Sequence, residues 1–135
     1  MLTRRGFATC VICSLPGFSA TAADNPAPAA TTGVKRTILQ QIDGPVDGYV
    51  TIIVIADIEA GVQVARHTHP GIESTYILEG GSELSVDGQT MRAVKAGDAL
   101  QVPANTPHSV KNGEAKTKLL INYIVEKGKP VASPA

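Results

Sequence analysis

Turn-forming residues punctuate this 135-residue chain at short intervals, and that spacing limits what it can fold into. From residue 34 onward Asp43-Gly44-Pro45, Asp47-Gly48, Ala60-Gly61, Gly80-Gly81, Asp87-Gly88, Gly97-Asp98 and Asn112-Gly113 break the sequence before a helical period can establish itself. The short stretches between them suit strands at roughly 8–12-residue spacing, the rhythm of an antiparallel sandwich or barrel. Beyond residue 23 there are 12 Val and 10 Ile against 6 Leu, and β-branched side chains favour the pleated backbone. Strands are expected near residues 35–42, 49–59, 62–68, 74–79, 83–87, 89–94, 99–102, 107–111 and 117–126. Asp87-Gly88, set between Leu84-Ser85-Val86 and Thr90-Met91, predicts a hairpin.

The start of the chain follows different rules. Residues 1–23 read as an export signal: Arg4 and Arg5, an apolar stretch broken by Pro16, then small residues at Ala20-Thr21-Ala22. Thr3-Arg4-Arg5-Gly6-Phe7 resembles the twin-arginine signal that carries folded proteins across a membrane, a Sec signal being the alternative. Cleavage near Ala22-Ala23 would place the protein in the periplasm or outside the cell, without a stable membrane anchor. It would also remove Cys10 and Cys13, leaving no thiol, and change the formal charge from zero to 10 basic against 12 acidic groups. No basic stripe remains for nucleic acid or an anionic membrane. Residues 24–33, rich in Pro, Ala and Thr, and the similar residues 128–135 are expected to form a disordered leader and a flexible tail around a domain at 34–127.

One strand is apolar at nearly every position. Val50 to Ala56 reads VTIIVIA, so it lies mid-sheet with both faces covered, by another part of the chain or by a second subunit in a homodimer.

All 3 histidines share one pattern. His67 and His69 are two apart, which puts both side chains on one face of a strand. Glu73 returns after the Pro70-Gly71 turn, and His108 follows Pro103-Ala104-Asn105-Thr106-Pro107. Imidazole and carboxylate suit borderline divalent transition metals, and four donors leave positions open for water, a substrate or dioxygen.

Gly61, five residues, His67-Thr68-His69, three residues, Glu73, six residues and Gly80 match the first motif of the cupins. Gly97, five residues, Pro103, Asn105, His108 and Asn112 match the second, except that Asn105 stands where Gly is usual. Asn tolerates a positive φ, so the turn should survive. The chain therefore resembles a small single-domain, quercetinase-like cupin over about residues 45–126.

The resemblance implies an all-β fold, a single small jelly-roll barrel, with one divalent metal held by His67, His69, Glu73 and His108. Fe or Mn is the expectation if the protein folds before export, although Ni, Cu and Zn accept the same donors. Three functions follow. One is a metal-dependent dioxygenase or related oxidoreductase, acting on a small neutral or enolic molecule with Glu73 as base. The others are a metal-assisted isomerase or lyase, and a non-catalytic protein that binds a metal or small ligand. Of the three tyrosines beyond the signal, Tyr76 is expected in core packing, and Arg66 should point away from the site.

Overall fold

The computed structural model describes residues 25, 26 and 31–135, so the expected export signal lies outside the described residues. Ten strands and no helix are found among them: β1 Val34–Asp43, β2 Tyr49–Ile58, β3 Gln63–Thr68, β4 Gly71–Glu79, β5 Gly81–Val86, β6 Arg92–Lys95, β7 Ala99–Val102, β8 His108–Asn112, β9 Thr117–Glu126 and β10 Ser133–Pro134. They form two five-stranded sheets, in the orders β1-β2-β9-β4-β7 and β10-β3-β8-β5-β6. Every pairing is antiparallel, which gives the expected jelly-roll sandwich.

Period-two alternation builds the interior. Val50, Ile52, Val54, Ala56 and Ile58 of β2 are all buried, and they stand opposite Val125, Tyr123, Ile121, Leu119 and Thr117 of β9. On the other side of β9, Gly71, Glu73, Thr75 and Ile77 of β4 face the same inward row. Removing such aliphatic side chains from water contributes about 1.5–3 kcal/mol each, and these central strands carry most of that burial. The VTIIVIA strand does lie mid-sheet, between β1 and β9. Its outward residues Thr51, Ile53 and Ile55 are only half-buried within this chain.

Two turns fall where the sequence places them, although β6 begins at Arg92 and leaves Thr90 and Met91 in the loop. Asp87-Gly88 joins β5 to β6, with Gly88 at φ 76° and the Gln89 amide donating to the Val86 carbonyl at 3.0 Å. Asn105 takes φ 55°, the left-handed value that its place in the second motif required.

Described residues of the expected leader and of the expected tail contact the domain. Asn25 is buried; its amide nitrogen donates to the Glu126 carbonyl at 3.0 Å and its oxygen accepts from the Gly128 amide at 2.8 Å. The tail buries Val131 and then pairs Ser133 and Pro134 with Thr68 and His67 of β3 as β10. Its composition shows no apolar alternation, because a two-residue edge strand needs none; the partner strand supplies the order.

At one end of the barrel, Asn112 knots four segments together. Its amide nitrogen donates to the carbonyls of Glu59, Ile58 and Ala115 at 2.8, 3.0 and 3.1 Å. Its oxygen accepts from the hydroxyls of Thr117 and Ser82 at 2.6 and 2.9 Å. His108 opens the other end of the same strand, β8.

Candidate metal centre

The four residues singled out by spacing converge where the two sheets meet. His67 comes from β3, His69 from the turn after it, Glu73 from β4 in the opposite sheet and His108 from the first position of β8. His67 and His108 are direct cross-strand partners. Pro70-Gly71 carries the chain from one sheet to the other, and Gly71 is needed there: a Cβ would stand 2.0 Å from the Ile124 carbonyl oxygen. With Glu73 inward and a period of two, Thr75 and Ile77 also point inward.

Each imidazole is oriented by its Nδ1. That atom donates to the Ala65 carbonyl at 2.7 Å in His67, to the Val131 carbonyl at 2.6 Å in His69 and to the Thr106 carbonyl at 3.0 Å in His108. A carbonyl has no proton to give, so Nδ1 carries the hydrogen and the neutral ring turns the Nε2 lone pair inward. The Glu73 carboxylate is fixed from behind, where the Thr75 hydroxyl donates to Oε1 at 2.6 Å. Its Oε2 then lies 2.8 Å from His69 Nε2 and 3.4 Å from His108 Nε2. Both nitrogens are buried and lack a hydrogen-bond partner.

Lone pairs pointed at one another this closely require a cation or a proton between them. One donor atom from each of the four residues lies within 4.8 Å of all the others, so the group can hold one metal ion. Bonds of about 2.0–2.2 Å to such an ion place neighbouring donors about 3 Å apart. The residues present therefore fit the group that the motifs imply.

The titration behaviour agrees with that fit. Burial pushes His67 down to about 4. Burial also favours the neutral form of Glu73, but the neighbouring His108 and His69 imidazoles and the Thr75 hydroxyl outweigh it and hold the carboxyl well below the usual range. His108 moves up: burial opposes its charge, but the Glu73 carboxylate and the Thr106 carbonyl favour it more. Without a metal, the site recruits a proton beside Glu73.

Around the quartet the barrel is narrow, with an interior cavity of about 50 Å³. His69, Glu73 and His108 are only 2%, 8% and 2% exposed, while His67 is half-buried and faces the opening. Tyr123 packs its ring 4.9 Å from that of His69, and burial raises its hydroxyl well above the ordinary phenol value, so it stays protonated. Tyr123 was not separated from the other tyrosines in the sequence.

Tyr76 was placed wrongly: it is 46% exposed on the outer face of β4, opposite Leu120. The inward position of Glu73, carried forward two at a time, passes over it. Arg66 does point outward, paired with Asp87.

The family description that matches is the Cupin_2 cupin domain, over residues 54–125. The chain belongs to the cupin family. No curated protein matches the sequence. Among solved structures, this cupin is similar to a double-stranded β-helix domain protein from Klebsiella pneumoniae: 18% identity, TM-score 0.60, covering 90% of this chain and 98% of that one. It also resembles the DMSP lyase DddQ from Ruegeria pomeroyi at 22% identity and TM-score 0.58, over 67% of this chain and 46% of DddQ. A third likeness, at 20% identity and TM-score 0.58, is to a mutant salicylate 1,2-dioxygenase from Pseudoaminobacter salicylatoxidans in complex with gentisate. It covers 73% of this cupin and 26% of that chain. The cupin thus spans less than half of the lyase and about a quarter of the dioxygenase, and at these identities the likeness is one of fold.

Proposed function

We propose that this cupin holds one divalent transition metal through His67, His69, Glu73 and His108, and presents it to the oxygen atoms of a small molecule entering beside His67. The observation that carries the reading is the pair of buried, unpartnered Nε2 atoms aimed at Glu73 Oε2 from 2.8 and 3.4 Å. The reaction class we favour is that of an oxidoreductase of the dioxygenase kind. The bound ion would supply positions for oxygen donors and polarise what binds there. The protein's part is to keep the three imidazoles neutral, exclude water with the aliphatic walls of β2 and β9, and hold Glu73 by Thr75. Glu73 Oε2 is the atom suited to accept a proton from a bound ligand.

A narrow interior favours a second reading, in which the cupin binds a metal or ligand without turnover. A cavity of about 50 Å³ holds an ion and a water or two, so a substrate must react from the opening. We further propose export in the folded state, with Fe or Mn acquired beforehand, and a homodimer formed through the half-buried outer face of β2.

Elemental analysis of protein recovered from its native compartment tests the first reading, followed by dioxygen-uptake measurements on that material. One equivalent of Fe or Mn with oxygen uptake supports the oxidoreductase; one equivalent without uptake supports the binding protein. Copper in native material overturns the folding-before-export argument. Absence of any stoichiometric metal overturns the metal centre.

A further inference from the structure

Beside His67 the barrel mouth holds a cation, Arg36, without an ion-pair partner among the described residues. Arg36 of β1 is paired with Ala56, whose side chain is buried, and so stands on the inward row of its strand. It lines the interior cavity together with His67, Glu73, His108 and Tyr123. It also lines a cleft of about 130 Å³ just outside, between Thr31 and the β10 residues Ser133 and Pro134. Arg36, Val64 and His67 border both spaces, so the cleft and the interior meet at this guanidinium.

The other guanidinium of the cleft, Arg66, is occupied by Asp87. Arg36 has no carboxylate within ion-pair distance among the described residues, whose ion pairs all lie elsewhere. A half-buried guanidinium on an apolar wall keeps its charge at a cost unless an anion answers it. Its planar fork of donors matches a carboxylate in two parallel hydrogen bonds.

We propose that Arg36 anchors the carboxylate of the ligand, so that this cupin takes small carboxylic acids bearing a second oxygen donor. The carboxylate pairs with Arg36 at the mouth while the second oxygen reaches the quartet. Such a ligand replaces the neutral or enolic molecule expected from the sequence. One arginine set beside the opening is enough to favour an anion. The assignment rests on reading the quartet as a metal centre, and its test separates the two.

The probes are 3-hydroxybenzoate and 3-hydroxybenzamide, alike in shape and different in charge, titrated calorimetrically into wild type, Arg36→Gln and Arg36→Lys. Each protein is measured metal-free and loaded with Co(II), with cobalt stoichiometry and the visible spectrum recorded first. Wild type is expected to prefer the acid at least tenfold. Arg36→Gln should weaken the acid by about 10- to 100-fold, as loss of a charge-assisted bond does. It should leave the amide within about threefold, with cobalt binding unchanged and Arg36→Lys restoring part of the loss. Equal weakening of both probes, no acid preference in wild type, or binding of neither probe overturns the proposal. Failure of wild type to take up Co(II) overturns the metal centre alone, and the metal-free titrations then decide the role of Arg36.

Discussion

Replacing Asn112 by Asp exchanges an NH2 group for an oxygen and leaves the volume of a side chain that is 3% exposed essentially unchanged. Packing is therefore held constant while the polarity of the knot is reversed. The two amide hydrogens now shared among the Glu59, Ile58 and Ala115 carbonyls disappear, and a carboxylate oxygen faces three acceptors at 2.8, 3.0 and 3.1 Å. Losing two net hydrogen bonds costs about 1 kcal/mol each, and leaving buried acceptors unanswered adds about 1–3 kcal/mol. The expected loss at pH 7.5 is about 3–5 kcal/mol, a large share of the ~5–15 kcal/mol that holds a domain together. With a urea slope on the order of 1–2 kcal/mol/M, the unfolding midpoint should fall by about 1.5–5 M.

The sign of the pH dependence is also fixed. A carboxyl buried against carbonyls has a folded pKa above its unfolded value, so the penalty is full at high pH. It shrinks as pH falls and the protonated acid regains one donor. Urea melts of both proteins at pH 7.5 and 5.5 read the difference directly. A loss below about 1 kcal/mol at pH 7.5, or one that does not shrink at pH 5.5, would refute the idea that these hydrogen bonds close this end of the barrel. Metal uptake by the folded variant should be unchanged, since Asn112 sits about 13 Å along β8 from His108.

Three other outcomes are expected. His69→Ala or His108→Ala should lower metal occupancy at sub-stoichiometric loading, and chelation of wild type should lower its melting temperature; full retention in both variants would disprove the ligand set. Gly71→Ala must push β4 from the Ile124 carbonyl, so calorimetry should show a loss of about 1–3 kcal/mol and metal titration a weaker site, because Glu73 moves with the strand. Metal-free protein should be most stable on the mildly acid side of neutrality, as urea midpoints from pH 4 to 8 would show. His67, held down to about 4, loses stability for the fold from pH ~6.5 to ~4, by at most about 3 kcal/mol before solvent screening. Glu73, held low, adds to that loss as pH falls below the ordinary carboxyl range, whereas the contribution of the raised His108 is full below pH ~6.5 and fades as pH rises.

Turn chemistry and alternation are local signals, and they located nine of the strands to within a few residues, β7 and β9 at their observed limits. The quartet was legible for a related reason: an i,i+2 pair of histidines and a turn-separated glutamate keep their relation in any extended chain. Tyr76 was misplaced because β4 begins at Gly71 rather than Ser74; the earlier start extends the alternation from Glu73 and turns Tyr76 outward. Arg36 carried no local mark, since only the pairing of β1 with β2 decides that its row faces the mouth. Val131, Ser133 and Asn25 were missed because their order comes from the segments they touch, which are distant in sequence.

The hydrogen bond from His69 to the Val131 carbonyl spans 62 residues of sequence. A growing polypeptide that has completed β9 already owns all four donor side chains, but nothing yet decides which nitrogen of His69 holds the proton. The ring acquires its working tautomer only after Val131, five residues beyond β9, has emerged and the tail has doubled back along β3. Synthesis from the N-terminus therefore delays a competent metal site until the barrel is otherwise finished. An ion met earlier finds a looser, less selective set of donors. Removing residues 130–135 would hold the protein in that unfinished condition, and metal affinity about 10- to 100-fold weaker than that of the full chain is the expected mark of it.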